Sequence, residues 1–315
     1  RREVGLGYGW LLRGTYGLMA LIGAYIGLRI GPAWGRDLAS IGVVLATGGL
    51  AFLWVTTRRR EVGLGYGWLL RGTFGLMALI GAYIGLRIGP VWVRDLASLG
   101  VGLSAAAALA VSVARKAAGV SGQRERVERR SARVAAMTGI DRDEQRFDKA
   151  APEFPPVLDL IPVGIGLVGL VAAGIDAGSP VWLSVARTIV GALFLGAISD
   201  AMLLGHWYLV QPGLARGPLL ELVRATAIVW PLEVALLLVP TGMVSVLNGS
   251  IDDGYGGILG WTWITCAVTT LGLLAVTRAA LKERQYSAVM AATGLLYLAI
   301  LTAFGTDLVA RALLS

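Results

Sequence analysis

Nine stretches of this chain are long and apolar enough to cross a lipid bilayer, and they constrain the fold more than any other feature. A helix needs roughly 20 mostly apolar residues to cross the hydrocarbon core. The stretches are apolar on every face, which favours helices over the alternating strands of a β-barrel. We therefore expect an all-α, polytopic integral membrane bundle of about nine transmembrane helices. They lie at residues 11–30, 38–56, 69–88, 96–114, 157–175, 181–207, 223–247, 257–277 and 288–313.

Charged residues make up only 15% of the chain and lie mainly beside the apolar stretches, whereas soluble domains contain about 25%. The net charge of +8 is concentrated in loops that share one side of the membrane if the N-terminus is cytoplasmic, as the positive-inside rule expects. The pattern predicts a cytoplasmic N-terminus, an outer C-terminus and a location in the cytoplasmic (inner) membrane of a bacterium. It favours the lipid bilayer, and not nucleic acid, as the partner of the basic residues.

The front half contains an internal repeat, because residues 1–43 and 59–101 differ at only four positions. Each copy predicts a two-helix hairpin, and the abrupt loss of similarity after Val43 indicates a recent partial duplication or an error in the gene sequence. Because the chain begins with Arg1 and not with methionine, we expect the native start to lie upstream. The expected parts are a first hairpin at 1–58, a second hairpin at 59–116, a basic cytoplasmic linker with a short helix at 117–156, and a five-helix transmembrane bundle at 157–315.

Glycines recur every four residues in the second copy, at Gly81, Gly85 and Gly89. That spacing places them on one helix face and lets two backbones approach closely. We expect them to serve in helix packing, including packing between the two copies. Arg71 lies near the cytoplasmic end of the same helix, and we expect its charged group to extend toward the interface.

Carboxylates inside the apolar stretches are the strongest functional signal, because charges within a bilayer are costly and mark functional sites by default. Asp200 lies in the sixth stretch, Glu233 in the middle of the seventh and Asp307 in the last. Arg311 follows Asp307 by four residues and can neutralise it from the same helix face. Asp200 and Glu233 have no such partner in their own helices.

Two prolines, Pro231 and Pro240, flank Glu233 in the seventh stretch. Proline lacks a backbone N–H and disturbs a helix, so this pair predicts a kink with unpaired carbonyl groups near Glu233. The sixth and seventh stretches are joined by a loop at residues 208–222, and we expect them to be neighbours. Asp200, His206 and Glu233 are then expected to face one cavity.

The residues 205–212, GHWYLVQP, end the sixth stretch and contain His206, the only histidine of the chain. A quinone head group needs hydrogen-bond donors and a route for protons, which a histidine titrating near neutral pH and buried carboxylates can supply. The candidate quinone or proton site therefore comprises His206, Trp207, Tyr208, Asp200 and Glu233.

The alternative interpretation of the same stretch is an interfacial belt, because Trp and Tyr are common where helices leave the membrane. Binding of a haem by two histidines is excluded within this chain, since His206 stands alone. One histidine with a methionine, such as Met202, remains an alternative ligand pair.

Three classes of function follow. The first is a membrane-anchoring subunit of a larger redox or respiratory assembly, which contributes a quinone or proton site and requires other protein subunits. The second is an ion- or proton-coupled transporter or channel that uses Asp200, Glu233 and Asp307. The third is a purely structural membrane scaffold. A self-contained enzyme is not expected, because the sequence shows no large soluble catalytic domain, metal-ligand cluster or nucleotide-binding loop.

Overall fold

A computed structural model of the chain describes residues 32–138, 147–148, 150–211, 214–283 and 285–314, with the backbone alone for 32–35, 130–136 and 138. Every regular element in these ranges is helical. The helices are α1 (Pro32–Thr57), α2 (Leu64–Ile88), α3 (Trp92–Ala114), α4 (Ser121–Thr138), α5 (Leu160–Ala177), α6 (Val181–Val210), α7 (Gly217–Leu238), α8 (Gly242–Leu247), α9 (Ile258–Lys282) and α10 (Tyr286–Leu314), with short 3-10 turns at Lys116–Ala118 and Pro156–Asp159.

Seven of these helices are long and apolar enough to cross a membrane: α1, α2, α3, α5, α6, α9 and α10. The protein is thus an all-α integral membrane protein. The predicted stretch 11–30 lies outside the described residues. The predicted stretch 223–247 corresponds to two helices, α7 and α8. α7 is long enough to span, but it carries three charged residues, Glu221, Arg224 and Glu233.

The centre of the bundle is the contact between α1 and α6, because each of them also packs against α5 and against further helices on its own side. The two backbones touch at Gly48 of α1 and Gly196 of α6. A Cβ atom on Gly48 would overlap the carbonyl oxygen of Ala192 and lie 2.7 Å from its carbonyl carbon. Only glycine permits this approach, and small residues at helix contacts are the usual means of close packing in membranes.

The second repeat copy forms α2 and α3, and α1 includes the end of the first copy. Gly81 packs against Gly42 of α1, where an added Cβ on Gly42 would lie 2.8 Å from the Cα of Gly81. This contact joins the two copies, as the glycine spacing predicts. Gly85 has a different role, since an added Cβ would overlap the carboxylate of Asp95 on α3.

Arg71 extends toward the end of the bundle at which α1 ends and α5 begins, but its charged group is buried there in an ion pair. Its side chain is only 2% exposed, and it pairs with Asp159 through Nε–Oδ1 and Nη2–Oδ2 bonds of 2.7 Å and 2.8 Å. Thr57 donates a further hydrogen bond to Asp159, and the Arg71 guanidinium lies over the ring of Phe154. The pair joins α2 to the start of α5, because a buried arginine is satisfied only by a well-placed anion.

The linker between α3 and α5 packs against the turn that joins α1 to α2. Its carboxylate Glu153 forms ion pairs with Arg60 of that turn and with Arg124 of α4. The backbone N–H of Gly122, in the first turn of α4, donates to the carbonyl of Arg60. α4 is thus fixed at this end of the bundle by hydrogen bonds as well as by chain connectivity.

Candidate functional site

Glu233 of α7 and Asp307 of α10 face each other inside the bundle, and we call them the acid pair. Their carboxyl groups lie within hydrogen-bonding range, and each side chain is about 1% exposed. Both oxygens of Glu233 and the Oδ1 of Asp307 have no donor among the described residues. Two carboxylates can only accept, so a single proton shared between them would complete the missing hydrogen bond.

Arg311 fixes the second oxygen of Asp307. Its Nε donates to Asp307 Oδ2 at 2.6 Å, which is the pair that the four-residue spacing predicts. Both side chains lie over Gly191 of α6, where an added Cβ would be 2.5 Å from Arg311 Nη2 and 2.8 Å from Asp307 Oδ1. The absence of a side chain at Gly191 therefore makes room for the ionic groups against α6.

The two prolines predict a helix break, and the structure has a break at Pro240 but not at Pro231. Pro231 lies inside α7, which continues to Leu238, whereas Pro240 follows the end of the helix. The missing N–H of Pro240 would have bonded to the carbonyl of Leu236, four residues earlier. Arg187 of α6 replaces it, since its Nε donates to Leu236 O at 2.9 Å and its Nη2 donates to Val239 O at 2.5 Å.

Arg187 also contributes to the electrostatics of the acid pair, because its guanidinium is close enough to attract the carboxylate of Glu233. Asp37 of α1 approaches the same site from another side and interacts with Arg311. The site thus combines the acid pair, two arginines and a partly exposed third carboxylate from four helices, α1, α6, α7 and α10. Ionisable groups gathered in this way within a membrane are a functional signal.

Asp200 lies on a different side of α6 from these groups. Its side chain is fully buried, and neither carboxylate oxygen has a hydrogen-bond partner among the described residues. The hydroxyl of Tyr66 on α2 donates to the backbone carbonyl of Asp200 at 3.3 Å. Trp207, two turns further along α6, packs against the same Tyr66 with ring centroids 6.2 Å apart. Asp200 and Trp207 thus share the side of α6 that faces α2.

His206 faces α10. Its Nδ1 is hydrogen-bonded to the hydroxyl of Tyr297 at 2.9 Å, and the two rings meet edge to face. Tyr208 is 3% exposed, and its hydroxyl donates to the carbonyl of Ala215 in the loop before α7. The structure therefore brings Glu233 and Asp307 together. Within its described ranges it shows no hydrogen bond, ion pair or ring contact that joins Asp200, His206 and Glu233.

Three neighbours of these residues are absent from the sequence-based set: Arg187, Tyr66 and Tyr297. Arg187 had a usable signal, because Pro240 leaves the carbonyl of Leu236 without its helical donor and a nearby arginine can supply one. Tyr66 and Tyr297 had none, since their contacts depend on how α2 and α10 pack against α6.

No protein family, curated protein or solved structure matches the chain. In the part of the chain that the structure describes, no three His, Cys, Asp or Glu side chains are grouped so that they could hold a metal ion. The function is therefore inferred from the residues of the site.

Proposed function

We propose that the protein moves protons across the membrane, with the acid pair of Glu233 and Asp307 as the proton carrier. The observation that supports it is the meeting of two buried carboxyl groups with no donor between them. Carboxylates inside membrane bundles mark proton and ion pathways. This function belongs to the second class given above, an ion- or proton-coupled transporter or channel.

The roles of the two acids differ because their neighbours differ. Arg311 occupies Asp307 Oδ2, so Asp307 remains the charged acceptor of the pair. Glu233 has no ion pair of its own in the described residues, and it takes up and releases the proton. Arg187 lies near enough to stabilise Glu233 when the proton has left.

The acid pair lies toward the end of the bundle at which α6 begins and α7 and α10 end. In the orientation that the charges favour, with a cytoplasmic N-terminus and a bacterial inner-membrane location, this end faces outward. We propose nine spans, in which the stretch 11–30 is the first and α7 with α8 is the seventh. A fusion of a periplasmic reporter to the C-terminus tests the orientation.

Replacement of Glu233 by glutamine should abolish the proton flux. Glutamine keeps the size of the side chain but cannot exchange a proton, and loss of a positioned acid–base group typically slows proton transfer by roughly a hundredfold or more. The measurement uses proteoliposomes that contain a pH-sensitive dye, with a potassium diffusion potential as the driving force. Glu233→Asp, which retains a carboxyl group, should retain part of the flux.

Glu221→Gln is the matched control, since Glu221 lies on the same helix α7 but pairs with Arg58 and Arg59 far from the acid pair. Its flux should equal that of the wild type. Equal flux in Glu233→Gln and wild type would overturn the proposal. So would a wild-type protein that responds to an imposed sodium gradient but not to a proton gradient.

A second candidate function is the quinone-binding subunit of a redox assembly, and the contact of His206 with Tyr297 favours it. Both side chains are partly exposed on the surface where α6 meets α10, which a quinone in the lipid can reach. His206 would bind a quinone carbonyl, and the Tyr297 hydroxyl would fix the orientation of the imidazole ring.

This second function predicts that protein purified in a mild detergent retains quinone. In His206→Ala the retained quinone should fall by roughly tenfold, the effect of losing one good hydrogen bond. Extraction followed by chromatography measures it, and mass spectrometry of the same preparation identifies redox subunits that purify with the chain. Tyr83→Phe, at an exposed tyrosine of α2, is the control. Wild-type protein without quinone or redox partners would exclude this function, and failure of both functions would favour the scaffold.

A further inference from the structure

We infer that Arg187 is a positioning residue that couples the charge of Glu233 to a gate formed by α8, Gly242–Leu247. The inference rests on the proposed proton transfer at the acid pair. It adds the route by which the proton leaves the pair and the residue that controls that route.

α8 covers the acid pair at one end of the bundle. Its residues Met243 and Val246 are buried in a small apolar cluster that is separate from the main core. We call this cluster the apolar cap; its buried members are Leu237, Met243, Val246, Trp263 and Ala310. Leu237 lies one turn beyond Glu233 in α7, and Ala310 lies next to Arg311 in α10. The apolar cap therefore lies beyond the acid pair at this end of the bundle, and the inferred route of the proton passes through it.

The backbone has a glycine with a positive φ at each end of α8. Gly242, at its start, has a φ of +32°, and an added Cβ would overlap the carbonyl oxygen of Leu237. Gly249, just after its end, has a φ of +78°. Both values lie in the region that glycine tolerates best. α8 is only six residues long, so it can move as one short unit between these two points.

The loop beyond α8 is fixed by Asp253. Its carboxylate accepts hydrogen bonds from the backbone N–H groups of Tyr255, Gly257 and Leu259 at the start of α9, and these bonds hold its pKa below the usual range. The carboxylate therefore stays charged and keeps the start of α9 in place.

Arg187 controls the break before α8. Its guanidinium is bonded to Leu236 O, which lacks its helical donor because of Pro240, and to Val239 O, the carbonyl directly before Pro240. The same guanidinium is attracted by Glu233, one turn further back in α7. The bonds of Arg187 to the two carbonyls are charge-assisted, and a carboxylate adds the attraction of an opposite full charge, which a neutral carbonyl does not supply. When Glu233 loses its proton, Arg187 moves toward the carboxylate, the end of α7 loses its donors and α8 is released.

The other charged groups around Glu233 set the balance of this exchange. α10 contributes Asp307, which repels the Glu233 carboxylate, and Arg311, which attracts it; Asp37 of α1 acts through Arg311. α8 has no titratable side chain, and the nearest one in α9 is Cys266, which lies against Gly305 of α10. Among the described residues, Arg187 is the one arginine of the set whose hydrogen bonds go to neutral carbonyls and not to an acid.

The experiment measures the exposure of α8 directly. Met243→Cys is introduced into the full chain together with Cys266→Ala, which removes the only native thiol. The protein is reconstituted in proteoliposomes and labelled with a membrane-impermeant thiol reagent. Val244→Cys is the matched control, because Val244 is 42% exposed whereas Met243 is fully buried. The ratio of the two labelling rates cancels the effect of pH on thiol reactivity.

We expect this ratio to rise by roughly tenfold from mildly acidic to mildly alkaline pH, as the loss of charge-assisted hydrogen bonds at the break allows. In Arg187→Gln the ratio should be high at both pH values, and Arg187→Lys should restore part of the pH dependence. In Glu233→Gln the ratio should stay low at both. A ratio that depends on neither pH nor Arg187 would overturn the inference.

Failure of the gate and failure of the proposed function give different results. Loss of proton flux in Glu233→Gln with a pH-independent labelling ratio would support the proposed function and exclude the gate. A labelling ratio that follows pH and requires Glu233, with proton flux unchanged in Glu233→Gln, would support the gate and exclude the acid pair as the proton carrier. If Arg187→Gln fails to fold, the comparison of wild type with Glu233→Gln still tests whether the exposure of α8 follows the charge of Glu233.

Discussion

Replacement of Gly48 by alanine should destabilise the protein by roughly 3 kcal/mol, at the upper end of the usual cost of overpacking a core. The added methyl group would overlap the carbonyl oxygen of Ala192 and lie 2.7 Å from its carbonyl carbon. Both atoms belong to the backbone of α6, so no change of side-chain rotamer can relieve the overlap. The two central helices would have to separate, and chemical unfolding in detergent micelles would measure the loss.

Gly72→Ala is the matched control for this substitution. Gly72 lies inside α2, and an added Cβ would meet no other described residue within 4 Å. Alanine is the better helix former by about 1 kcal/mol, so this variant should be as stable as the wild type or slightly more stable. Equal stability of Gly48→Ala and Gly72→Ala would show that α1 and α6 are not in backbone contact.

Replacement of Arg71 by methionine should cost about 3–5 kcal/mol, which is the usual effect of removing one partner of a buried ion pair. Asp159 is fully buried and receives both of its charged hydrogen bonds from Arg71. Without Arg71, only the hydroxyl of Thr57 would remain as a donor to this carboxylate. Thermal unfolding in micelles should show the largest loss of any single arginine substitution in α2.

The control is Arg87→Met, at the other end of α2, where the side chain is exposed and lies over Tyr83. That change should stay within about 0.5 kcal/mol of the wild type. The double variant Arg71→Met with Asp159→Leu should recover much of the loss, because apolar replacements of a whole buried pair are often tolerated. An Arg71→Met variant as stable as Arg87→Met would contradict the ion pair.

The membrane helices could be predicted from the sequence because bilayer thickness fixes their length and burial in lipid fixes their composition. α1, α2, α3, α5, α6, α9 and α10 all follow this rule. The break at Pro240 was also predictable, since a proline cannot continue the hydrogen bonds of a helix. Pro231 shows the limit of that argument, because α7 continues through it.

The candidate site could be predicted only where its contacts are local. Arg311 pairs with Asp307 because the two residues are four apart on one helix face. The approach of Glu233 to Asp307 was not predictable, since it depends on how α7 and α10 each pack against α6 and α9. The separation of Asp200 from His206 had a local signal, because six residues turn an ideal helix through 600°, which leaves them roughly 120° apart.

The backbone contact at Gly48 also gives a physical meaning to the edge of the internal repeat. Sequence similarity between the copies ends at Val43, a few residues before Gly48, and the position that aligns with Gly48 in the second copy is Ala106. Ala106 is exposed on α3, so the position makes no comparable close approach within the described residues. Beyond Val43, α1 and α3 thus have different neighbours. The edge of the duplicated segment thus coincides with the point at which one helix becomes central to the bundle and the other remains peripheral.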